Sequence, residues 1–346
     1  MQQKVGLVMI VVPFLLGVLM LGAYIFLSAK NVVTPSNEVR APSEPIIYVN
    51  IVSHNEDTLH PKYPDYSQDE ATFTRESKQV LAFADMLEAH GAKYNFQTDW
   101  NFLLGMQKYD NGKSNLLTDL IKLGMEVDPH SHEHLGFNYA DVAYLISTLG
   151  VTPSNNAGGF LASPAEVSKL DFLSAPITGE RYDYTWSPVV AWGSGTNNHI
   201  DEESLWQSGV WRPVDAEHFD EHDPNGPLAV IGHYSSNWEG LDALLEKQAN
   251  GELEDGHMYT VSIMNNQWEL DEAYIAEFEA RLKTYNDETN DGRIVWATLT
   301  QTYEDWVNVY NEVPTILPWS GETTPCGDGT CSPLERRMNT CTLDCS

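Results

Sequence analysis

The stretch NLLTDLIKLGMEVDPHSHEH, Asn115 to His134, carries one whole structural unit and a cluster of chemistry. Leu116, Leu117, Leu120 and Ile121 recur at helical spacing, and Gly124 stands where a helix closes. MEV then reads as a short strand, and DPHSHEH as the loop that follows it. That loop holds three histidines in five residues, in a chain of 346 residues with 11 histidines. Two explanations stand open, a metal site and a polar surface loop.

The same helix, glycine, strand unit recurs on both sides. IIYVNIV, from Ile46, is a strand-like run rich in β-branched residues. Arg75 to His90 has Val80, Leu81, Ala84 and Leu87 at helical spacing, with Gly91 after it, and KYNFQT is extended again. Asn138 to Leu149 forms a third helix, capped by Asn138 and ended by Gly150, and NAGGFLA follows. Further on come LAVIGHY, a helix over Glu239 to Gln248, MYTVSIM, a helix over Asp271 to Tyr285, IVWATL and a helix around Tyr303 to Tyr310. Alternation of this kind predicts an α/β fold of parallel βα units, either a barrel or a doubly wound sheet. The stretch 176–227, rich in Trp, Pro, Gly and Asp, reads as long loops.

The termini are different. Val5 to Ala29 is 25 residues without a charge, between Lys4 and Lys30, which is long enough to cross a bilayer. Residues 1–30 are therefore expected to be a membrane anchor, with a cleaved signal at Leu27-Ser28-Ala29 as the alternative. Residues 31–45 are a polar, proline-bearing linker. All four cysteines, Cys326, Cys331, Cys341 and Cys345, lie in a tail at 319–346. After an export segment they read as two disulfides, with zinc as the rival, and place the body outside the cytoplasmic membrane. Asp328, Glu335, Asn339 and Asp344 in the tail offer oxygen ligands suited to calcium. A net charge of −31 argues against nucleic acid as a partner.

In parallel βα folds the active groups gather at the C-terminal ends of the strands. The histidine loop is there, and so is SHNED, Ser53 to Asp57, after the first strand. A carboxylate with two imidazoles is a usual ligand set for catalytic zinc. If HSHEH is extended, His130, His132 and His134 share a face. If it is helical, His130 and His134 still do. His130 and His134 are thus the expected pair, with His132 outside them or as an alternative ligand.

With these residues in view, the chain resembles the polysaccharide deacetylase, or NodB-homology, family of carbohydrate esterases. Glu56-Asp57 is similar to the family's acidic pair, and His130-Ser131-His132-Glu133-His134 to its H-[ST]-x-x-H motif. The resemblance covers Ile46 to Leu317 and implies a (β/α) barrel of about seven strands over 46–318. It implies a metal held by Asp57, His130 and His134, Glu56 as general base, and removal of N- or O-acetyl groups from a polysaccharide. The tail resembles short CGDGxC modules of secreted proteins. Two departures follow. GGFLASP has no Arg where the family carries one, and MYTVSIMNN offers Met264 and Asn265 where the family has its acid histidine. His233, ending LAVIGHY, is the candidate acid in its place. Trp192, Trp206, Trp211 and Trp238 are candidates for stacking on sugar rings. Competing readings are a non-catalytic glycan-binding relative and a glycoside hydrolase that uses Glu56 with a second carboxylate.

Overall fold

The computed structural model describes residues 44–55, 64–110, 114–160, 169–193, 207–235 and 237–318. Strand β1 (Ile46–His54) is the centre. Its IIYVNIVSH run is buried along nearly its whole length, as a parallel strand covered on both faces must be. One edge of β1 pairs in parallel over nine residues with β8 (Met258–Asn266). The other edge is shared. Its first half meets β9 (Ile294–Trp296), and its second half meets β2 (Asn95–Thr98), which pairs in turn with β3 (Glu126–Pro129).

Helices cover this sheet where the sequence spacing predicts them. Helix α1 (Glu70–Ala89) starts at Asp69, whose carboxylate accepts from Thr72 N at 3.0 Å, and it buries Val80, Phe83, Ala84 and Leu87. Helix α3 (Leu116–Lys122) runs into Gly124 at φ 73, a backbone angle that other residues reach only with strain. Helix α4 (Tyr139–Thr148) opens with the expected Asn138 cap, reciprocated by Asp141. Helices α5 (Trp238–Ala249), α6 (Glu272–Leu282) and α7 (Leu299–Asn308) complete the later units. Helix α2 (Trp100–Tyr109) was not expected from the sequence. Its central Gly105 reads as a helix weakener. A β-carbon there would lie 3.1 Å from the Tyr66 carbonyl and 3.2 Å from the Phe73 ring, so the glycine lets these segments pack close.

A second sheet follows. β4 (Asn156–Ala157), β5 (Val190–Trp192) and β7 (Ala229–Ile231) are parallel, and β6 (Val210–Trp211) joins antiparallel to β7. The architecture is α/β, but a barrel of about seven strands is not realised as a closed ring among the described residues. Between β3 and β4 the contact shrinks to one bridge, His130 with Gly158, and the bonds Ser154 N to Val127 O and Gly158 N to Pro129 O. Pro129 turns its carbonyl to that side and has no N–H to return a bond, which limits the ladder. Between β7 and β8 the joint is made by Thr260, whose carbonyl accepts from Tyr234 N and whose hydroxyl donates to the Gly232 carbonyl.

No helix among the described residues is long and apolar enough to cross a membrane. The expected anchor at 1–30, most of the linker, the tail at 319–346 with its expected disulfides and calcium ligands, and Glu56, Asp57 and Trp206 lie outside the described residues.

Candidate functional site

The C-terminal ends of the strands bring together histidines that are far apart in sequence. His54 ends β1, His130 follows β3, and His233 stands two residues past β7. All three are buried. The His54 and His130 rings meet edge to face at 4.5 Å between centroids. Trp192, at the end of β5, lies edge to face against His54 at 5.5 Å and stacks on His233 at 5.2 Å. Its indole N–H donates to Ser262 Oγ of β8 at 2.9 Å, which fixes the ring between the two histidines.

The histidine loop is neither extended nor helical. Glu133 and Leu135 both take positive φ, at 60° and 54°, and a short turn spans His134–Gly136. Just before this turn His132 lies against His130, with the two Nε2 atoms 3.0 Å apart. His132, which sequence spacing left as an alternative, is thus the partner the fold gives to His130. The His134 side chain lies outside what is described.

Two nitrogens at that distance share either a proton or a metal ion. Tetrahedral zinc with Zn–N bonds of about 2.0–2.1 Å sets two ligand nitrogens about 3.3 Å apart, so the pair is within a few tenths of an ångström of that geometry. Among the described residues, no group of three or more His, Cys, Asp or Glu side chains completes a metal site. The described residues therefore fit half of a zinc ligand set.

The glycines of GGFLASP explain the close approach. A β-carbon on Gly158 would lie 2.5 Å from Cδ and Oε1 of Gln97, and one on Gly159 would lie 2.6 Å from Nε2 of His130. Gln97 therefore lies against Gly158, and His130 against Gly159. Gln97 also sits opposite His54 in the β1–β2 ladder. Sequence reasoning passed over Gln97. Its one signal was position, at the end of a strand leading into the same rim.

Burial lowers His233 to a pKa of about 3, and the like charge of His54 adds to the effect. His233 is therefore neutral at neutral pH, and an acid role would require it to take up a proton first. Asp128, on β3 below His130, is pushed well above the usual carboxylate range by burial and then by Glu126. Asn95 and Asn156 bridge these two carboxylates, with bonds of 2.6 to 3.2 Å. Of the tryptophans, Trp211 is buried against Phe219, while Trp238 packs on Phe278 and Tyr285. Trp192 is also buried.

No family model matches the chain. No curated protein matches it either. Among solved structures, the chain is similar to a glycoside hydrolase/deacetylase from Parabacteroides distasonis, at 13% identity over 78% of this chain and 73% of that one, with TM-score 0.46. It is similar to a polysaccharide deacetylase from Pseudomonas aeruginosa at 11% identity, over 75% and 90% of the two chains, with TM-score 0.46. An allantoinase gives 11% identity, the same coverages and TM-score 0.45. With TM-scores below 0.5, these likenesses say nothing about this chain's chemistry.

Proposed function

We propose that the chain is a metal-dependent hydrolase that removes acetyl groups from an extracytoplasmic polysaccharide, and that residues 1–30 anchor it to the membrane. The observation that supports this best is the meeting of His130 and His132, 3.0 Å apart, beside His54 at the strand ends. Asp57 lies three residues beyond His54 in the chain, and His134 two beyond His132. In this reading Asp57 and His134 join His130 as ligands, with His132 as the alternative to His134, and zinc is the ion. A bound ion supplies charge for the acetyl carbonyl and a more acidic water. Glu56 accepts that water's proton. His233, neutral at rest, holds a proton at one nitrogen and relays one to the leaving group only after gaining a second. Two disulfides and a calcium ion in the 319–346 tail belong to the same reading.

A second reading, a glycan-binding relative without catalysis, is favoured by Asn265. At the position where the resemblance calls for an acid, its Oδ1 accepts from the Tyr274 hydroxyl and its Nδ2 donates to the Val52 carbonyl, so the side chain is held within the fold.

Elemental analysis of the purified protein, with acetate release from a panel of N- and O-acetylated polysaccharides, tests both. About one equivalent of zinc, and release that Glu56→Gln abolishes while keeping the metal, supports the hydrolase. Metal-free wild type overturns it. Glycan binding with no acetate released from any substrate moves the assignment to the binding module.

A further inference from the structure

The side-chain amide of Gln97 is fully buried, and neither its Oε1 nor its Nε2 has a hydrogen-bond partner among the described residues. An amide left so loses its hydration and gains nothing, a cost that native cores seldom carry. Its surroundings show where it belongs. It is the next-to-last residue of β2, with His54 as its ladder partner on one side and Asp128 on the other. It lies against Gly158, while His130 lies against the adjoining Gly159. By contrast, Asn95, two residues earlier on the same face, is bonded to Glu126, Asp128 and the Leu299 N–H. The fold thus satisfies the lower amide of β2 and leaves the upper one, paired in the ladder with His54, without a hydrogen-bond partner.

We infer that Gln97 is a ligand-contacting residue, whose amide hydrogen-bonds the polar group of the sugar that enters the histidine site. The inference rests on the reading of that cluster as the place where an acetylated glycan binds. Oε1 only accepts and Nε2 only donates. The matching ligand must therefore bring a donor and an acceptor close together, as neighbouring ring hydroxyls or an acetamido group beside a hydroxyl do. The glycines at 158 and 159 make the arrangement possible, since any side chain at 158 would occupy the place of the amide.

The test replaces the amide with apolar side chains of similar size, Gln97→Met and Gln97→Leu, in the full chain. Thermal unfolding without ligand is followed by calorimetric titration with N- and O-acetylated hexosamine oligosaccharides. A structural amide and a ligand-contacting amide give opposite results. The expected result is an unchanged or higher Tm, by about 2 °C, because an unpaired buried group has been removed. With it comes a loss of at least about tenfold in affinity for whichever oligosaccharide the wild type binds best. A lower Tm in both variants marks Gln97 as a structural group and overturns the inference, whatever the activity. So does a wild type that binds an oligosaccharide that both variants bind equally well. A wild type that binds none of the panel overturns the glycan reading itself, and the inference falls with it.

Discussion

A β-carbon placed on Gly159 would stand 2.6 Å from Nε2 and 3.0 Å from Cδ2 of His130, at a backbone φ of +74°. Both facts act on one substitution. Gly159→Ala pays about 1–2 kcal/mol for the left-handed backbone and about 1–3 kcal/mol for crowding a packed interior. Urea unfolding is expected to show a loss of about 2–5 kcal/mol, and divalent-metal retention is expected to fall because His130 must move. A variant as stable as wild type would mean that His130 is free to retreat.

The buried imidazole of His233 sets a pH dependence. Its pKa falls from the ordinary 6.5 to about 3 in the folded chain. Above pH 6.5 the residue is neutral folded and unfolded, and contributes nothing to the slope. As pH drops below 6.5, the unfolded chain takes up a proton that the folded chain refuses, so stability falls until pH nears 3. The slope from this one residue approaches about 1.4 kcal/mol per pH unit. Denaturation midpoints measured from pH 7 to pH 4 are expected to fall more steeply in wild type than in His233→Leu. Parallel curves would show that the ring protonates within the folded site.

Much of this was written plainly in the sequence. Runs such as Ile46–Val52 and the Leu116, Leu117, Leu120, Ile121 stripe announce themselves because each keeps one period and ends at a turn residue. The units that stayed hidden are those in which tertiary contacts override local preference. Gly105 weakens the pattern of α2 yet is required by Tyr66 packed against it. β4 is two residues long, too short to carry a strand signal of its own. At the site, the crowding of histidines was legible but the pairing was not. His132 meets His130 at 3.0 Å, and left-handed backbone at Glu133 and Leu135, which neither residue advertises, breaks both regular spacings after it. Gln97 was silent for a simpler reason, because an unpartnered amide looks like any other glutamine until its neighbours are known.

Asp141 carries more of the fold than a helix cap would. It is buried, and its carboxylate accepts four backbone N–H groups, those of Asn138, Glu180, Arg181 and Tyr182, at 2.9 to 3.0 Å. Asp141→Ala leaves these donors without an acceptor, at about 1–3 kcal/mol for each that stays buried. A destabilisation of about 3 kcal/mol or more in urea is expected. Loss below about 1 kcal/mol would show that water replaces the carboxylate and that the 179–182 loop does not depend on it.

That loop delivers Arg181 to the histidine turn. The guanidinium donates from Nε to the carbonyls of Leu135 at 3.1 Å and Gly136 at 3.3 Å, and from Nη2 to Leu135 again. It also lies 4.5 Å over the Phe137 ring, which stacks on Trp100 at 4.7 Å. Leu135, at φ 54° and exposed, is not a residue that holds a left-handed conformation on its own. The clamp supplies what local preference does not. Arg181 is exposed, so its removal costs the fold little, about 1 kcal/mol or less. The turn should respond far more. In Arg181→Ala, amide hydrogen exchange at 133–136 is expected to speed up at least about tenfold while the core strands keep their protection. Arg181→Lys should restore little, since one ammonium cannot fork across two carbonyls on a flat stack as a guanidinium does. If His132 is held to His130 through this turn, divalent-metal affinity should weaken in Arg181→Ala alongside the exchange rates. Unchanged exchange in Arg181→Ala would show that the turn is fixed by Ser131, whose hydroxyl bonds the Phe137 carbonyl and the Glu133 N–H, and not by the clamp.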